Sequence, residues 1–207
     1  MKVFIYSLLE CFLYVFIVFF SKKVIFMDVY GAIKKRRSIR RYKDEEVSRD
    51  VLKKCVDAAR LSPTGANRQP LKFITIAKNL EEVFKHTNWA GYLDWNPSKE
   101  EMPRAYVGII KEKDSGLEMD VGIAAQSICL AALEEGLGSC MLGALDRDEL
   151  EKILPVPKDY DLELMVALGY PAEKPSIVEN QDSVEYYLEE DELIVPKKAL
   201  EKVWVEW

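Results

Sequence analysis

Apolar positions recur at helical spacing in two long stretches of the chain. In "SRDVLKKCVDAARL", 48–61, Val51, Leu52, Cys55, Val56 and Ala59 fall on one face, and Ser48 stands where a helix N-cap belongs. In "MDVGIAAQSICLAALEE", 119–135, Val121, Ala124, Ala125, Ile128, Cys129, Ala132 and Leu133 cover most of the circumference. A helix apolar nearly all round is buried, either as the central core helix or at a subunit contact. Shorter helices are predicted over 28–36 and in "DRDELEKIL" behind Asp146. "KFITIA", "AYVGIIKEK" and "LELMVALGY" are rich in β-branched and aliphatic residues and read as strands. "NLEEVFKHTNWAGYLDW", 79–95, reads as a helix running into a lid-like loop, and "IVPKKALEKVWVEW" as an extended arm that a monomer would struggle to bury. The pattern predicts an α+β fold, one mixed sheet flanked by helices.

One stretch stands apart. Residues 3–20, "VFIYSLLECFLYVFIVFF", are apolar apart from Ser7 and Glu10, near the ~18 residues at which a membrane span is considered. A cleaved signal peptide fits poorly, because no small-residue cleavage site follows. Two readings are open: a membrane anchor, whose flanking Lys22, Lys23 and "KKRR" would hold the rest of the chain in the cytoplasm, or a start at Met27 with residues 1–26 a mis-called extension. Residues 27–207 are then one domain, cytoplasmic on either reading.

Composition narrows the chemistry. The chain has 207 residues, 49% hydrophobic and 31% charged, room for one continuous core. Its four cysteines (11, 55, 129 and 140) form no CxxC pair, so neither a zinc site nor a disulfide framework is expected, and a reducing compartment is. The single histidine, His86, removes most Ser-His, Cys-His and zinc constellations. If the chain is an enzyme, an organic cofactor carries the reaction. "GLGSCMLG", 136–143, is no dinucleotide fingerprint: its spacing is GxGx4G and it follows a helix instead of a strand. Gly136 reads as a helix C-cap, and Gly143 as a point of close backbone approach.

Charge is uneven. "KKRRSIRRYK", 34–43, holds seven basic residues and no acid, leaving 22 basic against 35 acidic residues elsewhere. The net charge of −6 argues against bulk nucleic-acid binding. The arginine-rich cluster with Ser38 inside it suits either a solvated helix end or an anion site with bidentate phosphate contact. "LSPTGANRQP", 61–70, raises a separate question, since it puts Ser62, Thr64, Asn67, Arg68 and Gln69 with a glycine and two prolines into one connection.

Taken in order, "RRSIRRY" (36–42), "SPTGANRQP" (62–70), "GLGSCMLGA" (136–144) and "ALGYPAEKP" (167–175) resemble the FMN-dependent nitroreductase family over about 27–207. The resemblance implies an intertwined homodimer with flavin sites at its interface. It implies that Pro63, Thr64, Gly65 and Asn67, with Gln69 close by, line the flavin ring of the partner subunit. Arg36 and Ser38 match positions that grip the FMN phosphate, Arg40 the position near flavin N1 and the C2 carbonyl, and Arg37 belongs to the same motif. Leu142, Gly143 and Ala144 match the segment beside N5, and Lys197 and Lys198 a C-terminal phosphate partner. No residue of the chain is implied as a catalyst in its own right, and no metal.

The chain departs from the pattern at Thr64, commonly serine, at Leu71, commonly aromatic, and at the lysines of 197–198, commonly arginine. The implied activity is NAD(P)H-dependent reduction of nitroaromatics, quinones or similar small acceptors by a ping-pong, two-electron cycle. Alternatives are a reductive dehalogenase, for which Glu100 or Glu101 and Tyr106 are the nearest candidates to grip an amino acid, a flavin-fragmenting relative, or a non-catalytic flavin-binding protein. Trp89, Tyr92 and Trp95 could lid the flavin or pack on the core.

Overall fold

The structure, a computed structural model, describes residues 28–207 apart from 90, 93, 94, 180, 181 and 191. The apolar segment 3–20 lies outside the described residues. Among those described, no helix is long and apolar enough to cross a membrane.

The elements run in chain order as α1 (Val29–Lys35), α2 (Arg49–Arg60), a 3-10 turn (Gly65–Asn67), β1 (Leu71–Ile76), α3 (Leu80–Lys85), β2 (Ala105–Glu112), α4 (Glu118–Glu134), β3 (Gly138–Leu142), α5 (Arg147–Ile153), β4 (Tyr160–Gly169), β5 (Lys174–Glu179), β6 (Tyr187–Glu189) and β7 (Glu192–Lys197). The caps read from sequence form: the Ser48 hydroxyl accepts from Val51 N–H, and the Asp146 carboxylate from Glu149 N–H. Gly136 closes α4 at φ +79°, a left-handed C-cap that glycine adopts without strain.

β1, β2, β4 and β3 form an antiparallel sheet in that order. Its central strands are apolar on both faces because both faces are covered. Ala105, Val107 and Ile109 of β2, with Val166 and Leu168 of β4, pack against Leu52, Cys55 and Ala59 of α2 and Val121, Ala124, Ala125, Ile128 and Ala132 of α4. On the other face Tyr106, Ile110, Met165 and Ala167 join Ile39, Tyr42, Val83, Trp89 and Leu150.

The mixture of strand directions expected of one sheet is divided between two. β7 pairs β5 in parallel and β6 antiparallel in a separate three-stranded sheet. The C-terminal arm thus begins as the middle strand of that sheet, with Leu193 and Ile194 buried, and ends with Val203, Trp204, Val205 and Trp207 exposed. β3 is a strand where sequence pattern offered only glycines. Gly138 and Gly169 face each other across the β3–β4 ladder, and a Cβ on either would come within 2.8 Å of Ile39 or Tyr42 respectively. The two glycines leave the space into which the 36–42 segment docks.

Candidate functional site

Three of the four sequence motifs meet at one place. Ser38 bridges Ser139 in parallel, Ile39 N–H donates to Ser139 O (2.9 Å), and Tyr42 bridges Pro171. Ala172 N–H donates to Arg41 O (2.9 Å), and Lys43 N–H to Tyr170 O (2.8 Å). The segment 38–43 is therefore held as an extra edge between β3 and the 170–173 turn. Glu173 completes the hold, its carboxylate accepting from the backbone N–H groups of Arg40 and Arg41. It is buried, and its second oxygen has no partner among the described residues. Burial pushes its pKa up, opposed by those two N–H bonds and by the positive charges of Arg40 and Arg41.

Held extended, the segment sends alternate side chains to opposite sides. Ser38 and Arg40 line a cavity of about 110 Å³ with Asn88, Trp89, Cys140, Leu142, Gly143 and Ala144. Five expected site residues, from segments about a hundred positions apart, are thus brought together. Arg36 and Arg37 instead line a cavity of about 290 Å³ with Ser139, Glu173 and the glycines of 136–138. The structure does not bring Arg36 beside Ser38. Arg37 is buried, and its guanidinium donates to the carbonyls of Ile33, Lys34 and Arg36, closing the C-terminus of α1. Burial and the charge of Arg36 lower its pKa. A guanidinium spent on helix carbonyls makes Arg37 a structural residue of the motif.

Arg40 lies over the ring of Tyr186, 4.7 Å from its centroid, and donates to the Tyr186 hydroxyl (3.1 Å). The walls of the smaller cavity are also fixed. Asn88 N–H donates to Ala144 O (2.9 Å), and Arg147 donates to the carbonyls of Gly143, Leu162 and Glu163. Among the described residues, a Cβ at Gly143 would meet only ordinary contact, Leu164 at 3.8 Å. Trp89 is buried against Phe84, ring centroids 6.0 Å apart, and its indole N–H has no partner among the described residues. The three aromatics expected to act together are separate: Trp89 is core, Tyr92 meets Tyr186 edge-on, and Trp95 lies under Arg41. Glu101 is committed to Arg41 and Ser98, and Tyr106 is fully buried, so neither is free to grip an amino-acid ligand.

The loop 62–70 lies elsewhere. Pro63, Asn67 and Gln69 are exposed, and Thr64 and Gly65 half-buried. Thr64 and Gln69 line a separate small cavity with Ala59, Arg60, Ser62, Leu71 and Phe73. The loop is stiff: Gln69 N–H donates to the Thr64 hydroxyl (3.0 Å), Gln69 Nε2 to Asn67 Oδ1 (3.3 Å), and Gly65 N–H to Asp120 Oδ1 (3.0 Å). Lys197 and Lys198 are exposed at the end of β7 and line neither cavity. Asp120 and Glu173 are the site-forming residues that sequence reasoning missed. An acid at the start of an apolar helix and another inside the 167–175 motif were the available signals.

The lining holds donors of the kind a flavin's polar ring edge accepts: the Ser38 hydroxyl, the Arg40 guanidinium and the Asn88 amide. The cavity does not suit it in size. Sites for drug-sized ligands run to about 300–1,000 Å³, against about 110 Å³ here.

With this geometry in view, comparison with known proteins is informative. The nitroreductase family model matches residues 33–107 and 110–170. A protein of Methanothermobacter thermautotrophicus, provisionally named an NADH dehydrogenase/NAD(P)H nitroreductase, is 35% identical over 81% of this chain and 90% of its own. The iodotyrosine deiodinase of Thermotoga neapolitana is 28% identical over 76% of this chain and 97% of its own. Among solved structures, an FMN-dependent nitroreductase of Clostridium difficile superposes with a TM-score of 0.61 at 29% identity, covering 72% of this chain and 90% of the other. Motif order, fold and these matches agree: the chain belongs to the nitroreductase family.

Proposed function

We propose that the chain is an FMN-dependent oxidoreductase that uses NAD(P)H to reduce nitroaromatic, quinone or similar small acceptors, working as a homodimer. The observation that carries this is the cavity shared by Ser38, Arg40 and Leu142–Ala144, together with relatives named for the same chemistry. Bound FMN would supply the two-electron chemistry, taking hydride from NAD(P)H and delivering to the acceptor. The chain supplies position and charge. Arg40 sets a cation where negative charge accumulates on a reduced ring, and Ser38 adds a neutral donor beside it. Leu142–Ala144, pinned by Asn88 and Arg147, gives a fixed backbone edge, and Trp89 gives an apolar wall.

Three observations support the dimer. The cavity is too small alone, and Pro63–Gln69 lies away from it. Apolar residues also stay uncovered on a single chain: Val29 and Tyr30 of α1, Met119 and Ile123 of α4, and the C-terminal tryptophans. Arg36, Lys197 and Lys198 are then left to meet the phosphate across or beside that interface. The proposed location of this activity is the cytoplasm.

The test is an absorption spectrum of the purified protein before and after anaerobic NADPH or NADH. A flavin band that bleaches and then recovers with a nitroaromatic is expected. A band that persists under both nicotinamides would point to another reductant, and a colourless protein that takes up no added FMN would overturn the reading. Arg40→Ala is expected to lower the flavin reduction potential and weaken FMN binding by more than Arg36→Ala does; equal effects would break the separate roles assigned to the two arginines.

A further inference from the structure

Asp120 stands at the start of α4 with its side chain turned away from solvent, only 1% exposed. Its two oxygens take different partners. Oδ2 accepts from Leu117 N–H (3.1 Å), satisfying a donor that the first helical turn leaves open. Oδ1 accepts from Gly65 N–H (3.0 Å), inside a loop 55 positions earlier in the chain. That loop is under backbone strain: Ala66, Asn67 and Gln69 all have φ between +52° and +55°. The left-handed region is costly for an L-residue, so such a loop keeps its shape only where its surroundings fix it.

The surroundings are the turn that opens α4. At one end of the loop, a Cβ on Gly65 would come within 2.9 Å of the Leu117 side chain. At the other, Pro70 sits so close to Gly116 that a Cβ there would come within 2.4 Å of the proline ring, and Gly116 is itself left-handed at φ +67°. Both ends of the loop thus rest on residues 116–120. Asp120 provides the ionic contact between them, and a bond from a carboxylate to a backbone N–H is among the stronger kinds.

We propose that Asp120 is a positioning residue for FMN, holding the 63–69 loop in the shape that contacts the flavin of the partner subunit. This rests on the FMN and dimer reading above. It assigns to a side chain on α4 of one protomer the quality of the cofactor site built on the other. Asp120→Asn keeps the size and one acceptor but sets an NH₂ against one of two N–H donors. A buried bond of this kind, lost with its partner left unpaired, is worth about tenfold or more in FMN dissociation constant if the loop loosens.

The experiment measures FMN binding by the quenching of flavin fluorescence in wild type, Asp120→Asn, Arg40→Ala, and the heterodimer of the two variants made by co-expression with two tags. Each homodimer should bind FMN more weakly than wild type. The heterodimer pairs an intact pocket on the Asp120→Asn protomer with an intact loop on the Arg40→Ala protomer, so it should bind one FMN at wild-type affinity. No wild-type site in the heterodimer would mean that Asp120 serves its own protomer's pocket or only the fold, and the proposal falls. Unchanged affinity in Asp120→Asn overturns it too.

Failure of the underlying reading looks different: wild type that binds no FMN, or binds it as a monomer by light scattering. Should Asp120→Asn fail to fold, amide exchange of Gly65 in flavin-free wild type decides. Slow exchange, at the rate of the α4 core, is expected; exchange as fast as that of an open loop overturns the proposal.

Discussion

At the scale of single residues, the site is defined by groups that serve the backbone as much as by groups that could touch a ligand. Glu173 makes this testable. Its native pKa is raised, by burial first, so the folded chain holds that proton more tightly than the unfolded chain does. Its contribution to stability is full below the ordinary carboxylate range and is lost as pH rises through the raised native value. Glu173→Gln, which does not titrate, should therefore gain on wild type between about pH 4 and pH 7, when thermal midpoints are compared across that range. A gap that does not change with pH would show that Glu173 titrates in the native chain as it does in the unfolded one. The thiols give a second check. Burial pushes Cys55 and Cys140 up to about 11, and Cys129 is buried beside them. None of the three should react with a thiol reagent at pH 8 in the native state, and all should on unfolding. Arg40 and Ser38 were legible in sequence because a motif named them. Glu173 was not, because nothing in a row of letters shows which backbone donors a carboxylate will meet.

At the scale of elements, what the pattern revealed and what it hid follow from how each element is stabilised. α2, α4, β2 and β4 carry their own apolar pattern, and Ser48 caps α2, so sequence located them. β3 was hidden because two of its features point away from a strand: Gly138 at its start and the glycine-rich run around it. Its glycine is there for a neighbour. Gly138 and Gly169 together make the floor on which Ile39 and Tyr42 lie, and Tyr42 is 2% exposed with its hydroxyl donating to Ile39 O. A methyl at Gly169 would have to displace Tyr42 or the strand. Gly169→Ala should cost about 1–3 kcal/mol of stability by overpacking, measured by urea unfolding. It should also weaken FMN binding, because Tyr42 and Arg40 belong to the same extended segment. Loss of stability with no change in FMN affinity would show that the 38–43 segment is not held by the glycine floor.

At the scale of the whole molecule, a single chain leaves apolar area uncovered. α1 has no buried residue in the single chain, although Val29, Tyr30 and Ile33 are apolar. α4, which sequence read as either core or subunit contact, fills the core with its inner residues, while Met119 stays 64% and Ile123 37% exposed. A helix this apolar loses stability where it faces water, and in the proposed dimer a second copy would cover it. The same contact would bring the stiff 63–69 loop, anchored on the first turn of α4, toward another chain's cavity. Oligomeric state and cofactor binding should then fail together. Met119→Glu with Ile123→Glu leaves every described residue of the Ser38–Arg40 cavity unchanged, yet it should give a monomer by light scattering with FMN binding reduced at least tenfold. A monomer that keeps FMN at wild-type affinity would place the whole flavin site within one chain, and the small size of the cavity would have to be explained by rearrangement around the ligand.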